Sequence, residues 1–560
     1  MHRTIFALLL LAILPAAFLG CGLDGKGLVW GTAVSGDGTP DFPDDGGNGG
    51  GDNGGGDDGG NDGGNGGGGG GGTTGGRFAG SWMASFGDDL PQGGGRREYA
   101  LRLKITQDNN SLTGSGSMLR FYNTGSTAFD SEPFDVKISG TASGNDASLT
   151  LSSSGNFDNN PTVWLRMSGT RIVALYAERD SNLTLDRSAH FVMHKVAATS
   201  IEQTWATAFS DEYGAGGAFT SRDRTGVMTL DASNDELSGV GSYVEQRPGD
   251  VAEDFDFDVL QGYIDGSETY FTLGNFTPAN GEVDWFGYHS GSLIVAAYGQ
   301  FNASNNLARF GHATWYQADD PDPEDFERDW ITSFSDTAGA GSLISDYVMV
   351  MDGLVVTGNS LSGSVLVLDQ SDADPEFVTY TIEEGVVIGN ELALSMARGG
   401  SRFSWNMRLA NTVLVGSYQQ FNGSDEFVSR GVAEWRFGSA GSLAGTYAAS
   451  YFDSSTTSGT EDRASQLAIL NLSSVTDDGT ISGTGTVRLA GEQSRRQFSI
   501  DGSVSNNHIQ LIWSGADLFG DTVWNLRKAG SYLYGTYTNY ASNNTSIEFQ
   551  GSATYLRASN

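Results

Sequence analysis

Residues 80–86 read GSWMASF, and the same pattern returns as TWATAFS at 204–210, DWITSFS at 329–335 and GTYAASYF at 445–452. Three more anchors follow each opening, always in the same order. First comes an apolar residue beside spaced small ones: SLTGSGS at Leu112, ELSGVGS at Leu237, SLSGSVL at Leu361 and TISGTGT at Ile481. Next is a tryptophan in a short apolar stretch: VWLRM at Trp164, DWFGY at Trp285, SWNMRL at Trp405 and VWNLR at Trp524. Then a tyrosine run: IVALYAE at Tyr176, IVAAYGQ at Tyr298, LVGSYQQ at Tyr418 and LYGTYTN at Tyr537. The last three units close with GHATWY, GVAEWRF and GSATYL, opening at Gly311, Gly431 and Gly551. Ordered anchors in four copies are an internal repeat, with a unit of about 115–120 residues.

Within a unit the apolar pattern has period two. ALRLKITQ places Leu101, Leu103 and Ile105 on one face, and FDVKISG does the same with Phe134, Val136 and Ile138. Such alternation reads as strands with one buried and one wet face. The Asn, Asp, Gly and Ser clusters between the runs are turn chemistry. The first unit predicts eight strands, around Trp82, Leu103, Gly116, Val136, Leu149, Trp164, Val173 and Val192. Eight antiparallel strands in so short a unit suit an up-and-down barrel, whose closure removes exposed edges. The chain is therefore expected to be all-β, with four tandem antiparallel barrels at 78–197, 201–317, 325–437 and 439–560. β-Sandwich repeats are the alternative. A propeller blade needs only four strands. A transmembrane barrel needs a lipid-facing apolar band, where these strands alternate with Ser, Thr, Asn, Asp and Arg.

Each unit resembles the lipocalin- and avidin-type barrels of the calycin group. The residues that carry the resemblance are Gly80-Ser81-Trp82, similar to the Gly-x-Trp of lipocalin first strands, and Gly445-Thr446-Tyr447 in the fourth unit. The second and third units keep Trp205 and Trp330 without the glycine, in QTW and RDW. The resemblance implies barrel modules that bind a small hydrophobic or glycan ligand, or a protein. No biotin-binding set carries over.

The N-terminus reads as an export signal. A basic start at His2 and Arg3 precedes an apolar run, Ile5 to Leu14, and Gly20 then stands before Cys21. The run is too short to span a membrane, which takes roughly 20 apolar residues. The string FLGC resembles the bacterial lipobox. That resemblance implies a signal peptide over 1–20 and a lipid on Cys21, the single cysteine of the chain. Gly22 follows the cysteine, and resemblance to enterobacterial lipoprotein sorting, where an Asp there retains a lipoprotein in the inner membrane, implies the outer membrane of a Gram-negative bacterium, with the protein held by its lipid. No disulfide is available to it. Residues 21–77 form the tether, almost wholly Gly, Asp and Asn from Ser35 onward. From Ser35 to Gly76 there is almost nothing apolar to bury, so that stretch should stay disordered, with an r.m.s. span of roughly 35 Å. Calcium-binding nonapeptide repeats are the alternative there, but each such repeat carries an apolar residue that this stretch lacks.

The 560 residues carry a net charge of −37, which repels nucleic acid and anionic headgroups. No catalytic motif is present: no Gly-x-Ser-x-Gly elbow and no phosphate loop. His190 and His194 share a strand face by their even spacing and could form a surface metal pair, although two polar strand residues is the plainer reading. Asp254, Asp256 and Asp258 alternate with Phe255 and Phe257, as in a strand with Phe inward and Asp outward; a carboxylate pair for glycoside hydrolysis is the alternative. The acidic joint Asp319–Asp329 reads as a solvated connector. No metal or cofactor is expected. The repeated aromatics Trp82, Trp164, Tyr176, Trp205, Trp285, Tyr298, Trp330, Trp405, Tyr418, Tyr447, Trp524 and Tyr537 either plug the barrels or line a pocket. The sequence thus predicts a tethered string of four non-enzymatic barrels that bind a small ligand, a glycan or a protein. A structural or adhesive surface protein is the alternative.

Overall fold

The computed structural model describes residues 76–558 except 89–95, 123–132, 158, 198–199, 212, 215–221, 278–280, 302–306, 320, 337, 340–344, 371–374, 439–441, 454, 457–464, 517, 519 and 542–546. The signal, Cys21 and the Gly/Asp/Asn stretch lie outside the described residues. Among the described residues, no helix is long and apolar enough to cross a membrane.

The first barrel is a closed ring of eight antiparallel strands: β1 (Gly80–Gly87), β2 (Arg97–Asp108), β3 (Ser111–Tyr122), β4 (Phe134–Ser143), β5 (Asp146–Ser152), β6 (Thr162–Ser168), β7 (Arg171–Arg179) and β8 (Leu185–Lys195). β1 pairs with both β2 and β8. The alternation seen in the sequence sets the two faces. In β2, Leu101, Leu103 and Ile105 are buried while Lys104 and Thr106 are exposed. Barrels 2, 3 and 4 repeat the order and likewise close first strand on last. Their first strands are Thr204–Ser210, Trp330–Ser335 and Gly445–Phe452, and their last are Leu307–Ala318, Phe427–Phe437 and Ile547–Arg557. Each barrel encloses its own apolar core.

One end of every barrel is stopped in the same way. An apolar residue four places before the opening aromatic turns into the core, and its carbonyl receives the aromatic's polar hydrogen. Trp82 Nε1 donates to Phe78 (2.9 Å), Trp205 to Ile201 (3.0 Å) and Trp330 to Phe326 (3.2 Å), while the Tyr447 hydroxyl donates to Leu443 (3.0 Å). The Asp319–Asp329 joint is therefore more than a solvated connector. Pro at the first position starts a short 3₁₀ helix, Pro323–Phe326, which delivers the fully buried Phe326 to barrel 3.

The barrels do not form an open string. They close into a ring through their outer faces. Barrel 1 meets barrel 2 through Ser117 and Tyr288 (2.8 Å) and through Glu98 and His312 (2.5 Å). Barrel 2 meets barrel 3 through Ala206, Tyr316, Val413 and Val415 and through a fully buried Asp223–Arg430 ion pair (2.6 Å). Barrel 3 meets barrel 4 through Ile331, Val350 and Tyr534, with Gln370 donating to Thr538 (2.6 Å). Barrel 4 returns to barrel 1 through Leu467, Leu556, Trp164 and Leu175. One hydrogen bond recurs around this ring. The first-strand serine donates to a last-strand carbonyl of the next barrel: Ser85 to Ala313, Ser333 to Ala553, and Ser450 back to Phe191. The corresponding residue of barrel 2, Ala208, has no hydroxyl.

Candidate functional site in the mouth of barrel 4

The repeated aromatics lie in the barrel cores with one exception. Trp285 pairs across the strands with Tyr298, Trp405 with Tyr418 and Trp524 with Tyr537. In barrel 1 the residue opposite Tyr176 is Val163. Trp164 is thus one position out of register with the other three tryptophans, and a one-residue shift moves a strand residue to the opposite face. Trp164 packs outward, against Val173, Leu175 and Leu556 at the seam with barrel 4, under the Arg488 guanidinium at 5.1 Å.

In barrels 2, 3 and 4 the core aromatics stack with one geometry. The tryptophan and tyrosine rings lie 4.6, 4.7 and 4.6 Å apart. The first-strand ring of Phe209, Phe334 or Tyr451 meets the tryptophan edge-on. A last-strand ring, Trp315, Trp435 or Tyr555, does the same from the other side. These rings occupy the middle of each barrel, so the pocket question is settled at the open end.

That end carries a residue that the sequence reading overlooked. Two places after the first-strand aromatic stands an aspartate in every copy: Asp88, Asp211, Asp336 and Asp453, all buried. The seventh-strand tyrosine donates to it in three copies, Tyr298 to Asp211, Tyr418 to Asp336 and Tyr537 to Asp453. Glycine makes this possible. A Cβ at Gly311 or Gly551 would stand 2.7 Å from the Tyr298 hydroxyl or 2.8 Å from the Tyr537 ring. Barrel 1 has Ala189 there, and Tyr176 donates to Glu178 instead (2.8 Å). The absence of the closing glycine from the first unit was visible in the sequence, as was the recurring aromatic-x-Asp.

The four aspartates are neutralised differently. Arg187 of β8 bonds Asp88, and Arg309 at the same place in barrel 2 bonds Asp211 (3.3 Å), together with Arg224 (3.0 Å). Barrels 3 and 4 have Ser429 and Phe549 at that place. Burial pushes both Asp88 and Asp336 up to about 7, against the pull of Arg187 on the first and of the Tyr418 hydroxyl on the second.

What differs in barrel 4 is the filling around its aspartate. Opposite the first-strand aromatic stand Tyr99, Arg224 and Tyr347 in barrels 1 to 3, but Gln466 in barrel 4. Tyr243 of barrel 2 corresponds to Val487, and Phe403 of barrel 3 to Thr522. These exchanges leave a cavity of about 320 Å³ between Tyr451, Gln466, Val487, Trp513, Thr522 and Asn539, with Asp453 in its wall. Gln466 donates to Asp453 (2.9 Å), and Asn539 donates to Thr522 (2.7 Å). Two lining atoms are buried without a protein partner: the Trp513 indole nitrogen and the Asn539 carbonyl oxygen. The indoles of Trp285, Trp315, Trp405, Trp435 and Trp524 are unmatched in the packed cores as well, so it is the position of these two in the cavity wall that offers a donor and an acceptor to an incoming molecule. The Glu492–Arg496 ion pair stands at the rim (2.5 Å).

The remaining candidates lie elsewhere. Asp254, Asp256 and Asp258 face outward while Phe255 and Phe257 are buried. His190 and His194 share a face, as their spacing predicts, but that face is turned to the centre of the ring.

No protein-family model and no curated sequence matches this chain. Among solved structures, the isotype 1 transferrin binding protein B of Neisseria meningitidis aligns with 71% of this chain and 85% of its own, at 10% identity and a TM-score of 0.21. A transferrin binding protein B mutant of Haemophilus parasuis aligns with 70% and 85%, at 9% identity and 0.18. A protein of unknown function from Nostoc punctiforme aligns with 42% and 96%, at 11% identity and 0.16. Scores this low transfer nothing from those proteins to this one.

Proposed function

We propose that the chain is a lipid-anchored protein of the bacterial outer membrane, without enzymatic activity, that holds a small ligand in the mouth of barrel 4. The observation that carries the reading is the cavity left where Gln466, Val487 and Thr522 are small together, while barrel 1 holds Tyr99, barrel 2 Arg224 and Tyr243, and barrel 3 Tyr347 and Phe403 among the same positions. Its volume is at the lower end of small-molecule sites. Among the described lining residues, Asp453, Glu492 and Glu548 face a single guanidinium, Arg496, which suits a neutral or cationic ligand. The unmatched Trp513 nitrogen and Asn539 oxygen favour a hydroxylated or amide-bearing molecule, the glycan end of the expected range. Binding rather than turnover is supported by Asp453, whose carboxylate is already engaged by Tyr537 and Gln466. The anchor is the lipid on Cys21.

The test is native mass spectrometry of protein purified from its own host's envelope, beside the variant Val487→Tyr, which installs the barrel 2 residue. The native chain is expected to carry extra mass that is released on denaturation, and the variant to carry none. Equal bound mass on both would place the ligand elsewhere. A bare mass on both would favour the second reading, a structural or adhesive protein, which the three filled barrels and the closed ring support.

A further inference from the structure

Where the four barrels meet, their last strands surround a second cavity of about 420 Å³. Its wall is built from all four repeats, so no single repeat contains it. The same strand position presents a different side chain in each copy: His194, Tyr316, Arg436 and Leu556. Arg171 of β7 joins them. Both guanidiniums lie over Tyr532 of barrel 4, Arg171 at 5.7 Å and Arg436 at 4.8 Å from the ring centre. Arg171 also donates to the Tyr532 hydroxyl (2.6 Å). Glu434 is the only carboxylate among the described lining residues. It lies 3.5 Å from Arg436, accepts from Tyr316 (2.5 Å) and is about half exposed. His194 adds no charge, because burial and the two arginines push it down to about 3.

Two permanent cations against one carboxylate leave the centre positive, in a chain whose net charge is −37. Two like charges over one tyrosine ring repel each other, and an oxyanion between them would relieve that repulsion. Arginine is also the side chain whose planar fork matches carboxylate and phosphate oxygens. We propose that the ring centre is a binding site for an oxyanion, a phosphate or carboxylate group of a small molecule, held by Arg171 of barrel 1 and Arg436 of barrel 3 beside Tyr532 of barrel 4. It is independent of the barrel 4 mouth, whose charged groups among the described lining residues are three carboxylates and one guanidinium.

Calorimetric titration of the full chain with inorganic phosphate and with acetate, at constant ionic strength in chloride, tests this. At least one probe is expected to bind saturably. Arg171→Gln and Arg436→Gln should each weaken that binding tenfold or more. Glu434→Gln, a near-isosteric change at a half-exposed position, should tighten it several-fold, and it decides the matter alone where the arginine variants fail to fold. Absence of saturable binding of both probes overturns the proposal, as does binding that both arginine variants leave unchanged or that Glu434→Gln weakens.

Discussion

The buried aspartate is present in all four copies, and its environment makes it measurable. Asp336 has the Tyr418 hydroxyl but no arginine at the place of Arg187 and Arg309. Its carboxyl titrates near 3.8 when unfolded and near 7 when folded. The folded state thus holds the proton more tightly. That contribution is complete below the unfolded value and is lost as pH rises through the folded one. The interval amounts to an upper bound of about 4 kcal/mol. Asp336→Asn removes the charge and keeps the shape. Its melting temperature should exceed that of the native chain at pH 8, and the gap should close toward pH 4; a gap that widens as pH falls would contradict the assignment. The sequence displayed this residue in four copies, as FGD, FSD, FSD and YFD, yet a polar residue after a strand reads as turn chemistry. Only the pairing with the seventh-strand tyrosine shows it to be interior.

At the level of strands, period two made the barrels legible. Leu101, Leu103 and Ile105 read as inward from their alternation alone, and they are buried. Trp164 was not legible in the same way. VWL is apolar on both faces, so alternation cannot choose between Val163 and Trp164, and the register with Tyr176 decides it. On the outward face of β6, Trp164 and Ser168 are buried against barrel 4, Trp164 beside Leu556 and Ser168 donating to the Leu556 carbonyl. Trp164→Ala should therefore loosen the seam between barrels 1 and 4 while leaving the barrel 1 core intact, at a cost of about 3 kcal/mol. Hydrogen exchange should show faster exchange in β6, β7 and the barrel 4 strands facing them. Loss of protection at Leu101, Leu103 and Ile105 of β2 would instead mean that Trp164 supports the core. The open mouth of barrel 4 shows the same limit. Gln466, Val487 and Thr522 are ordinary strand residues, and their smallness has meaning only beside Tyr347, Tyr243 and Phe403 at the same positions.

For the whole molecule, the four repeats and their order were readable, and the ring was not. The faces that join the barrels carry Ser, Ala, Thr and Val between the core residues, a pattern that a solvated strand face shares. A chain ending at residue 438 would uncover Trp164 and Leu175 on barrel 1 and Ile331 and Val350 on barrel 3, all buried in the full chain. It is expected to self-associate in light scattering, because joined apolar patches of this kind are rarely left open. A monodisperse, fully folded monomer would speak against a closed ring. The recurring serine-to-carbonyl bond from Ser85, Ser333 and Ser450 has a consequence for ancestry and design. Each barrel offers one surface forward and a different one backward, which is the head-to-tail contact of a cyclic homo-oligomer whose rotation closes at four. The linkers then substitute for what would be subunit boundaries. A circular permutant that begins at barrel 2, with the end of barrel 4 spliced to the start of barrel 1 by a linker like that between barrels 1 and 2, is expected to keep the contacts between barrel faces.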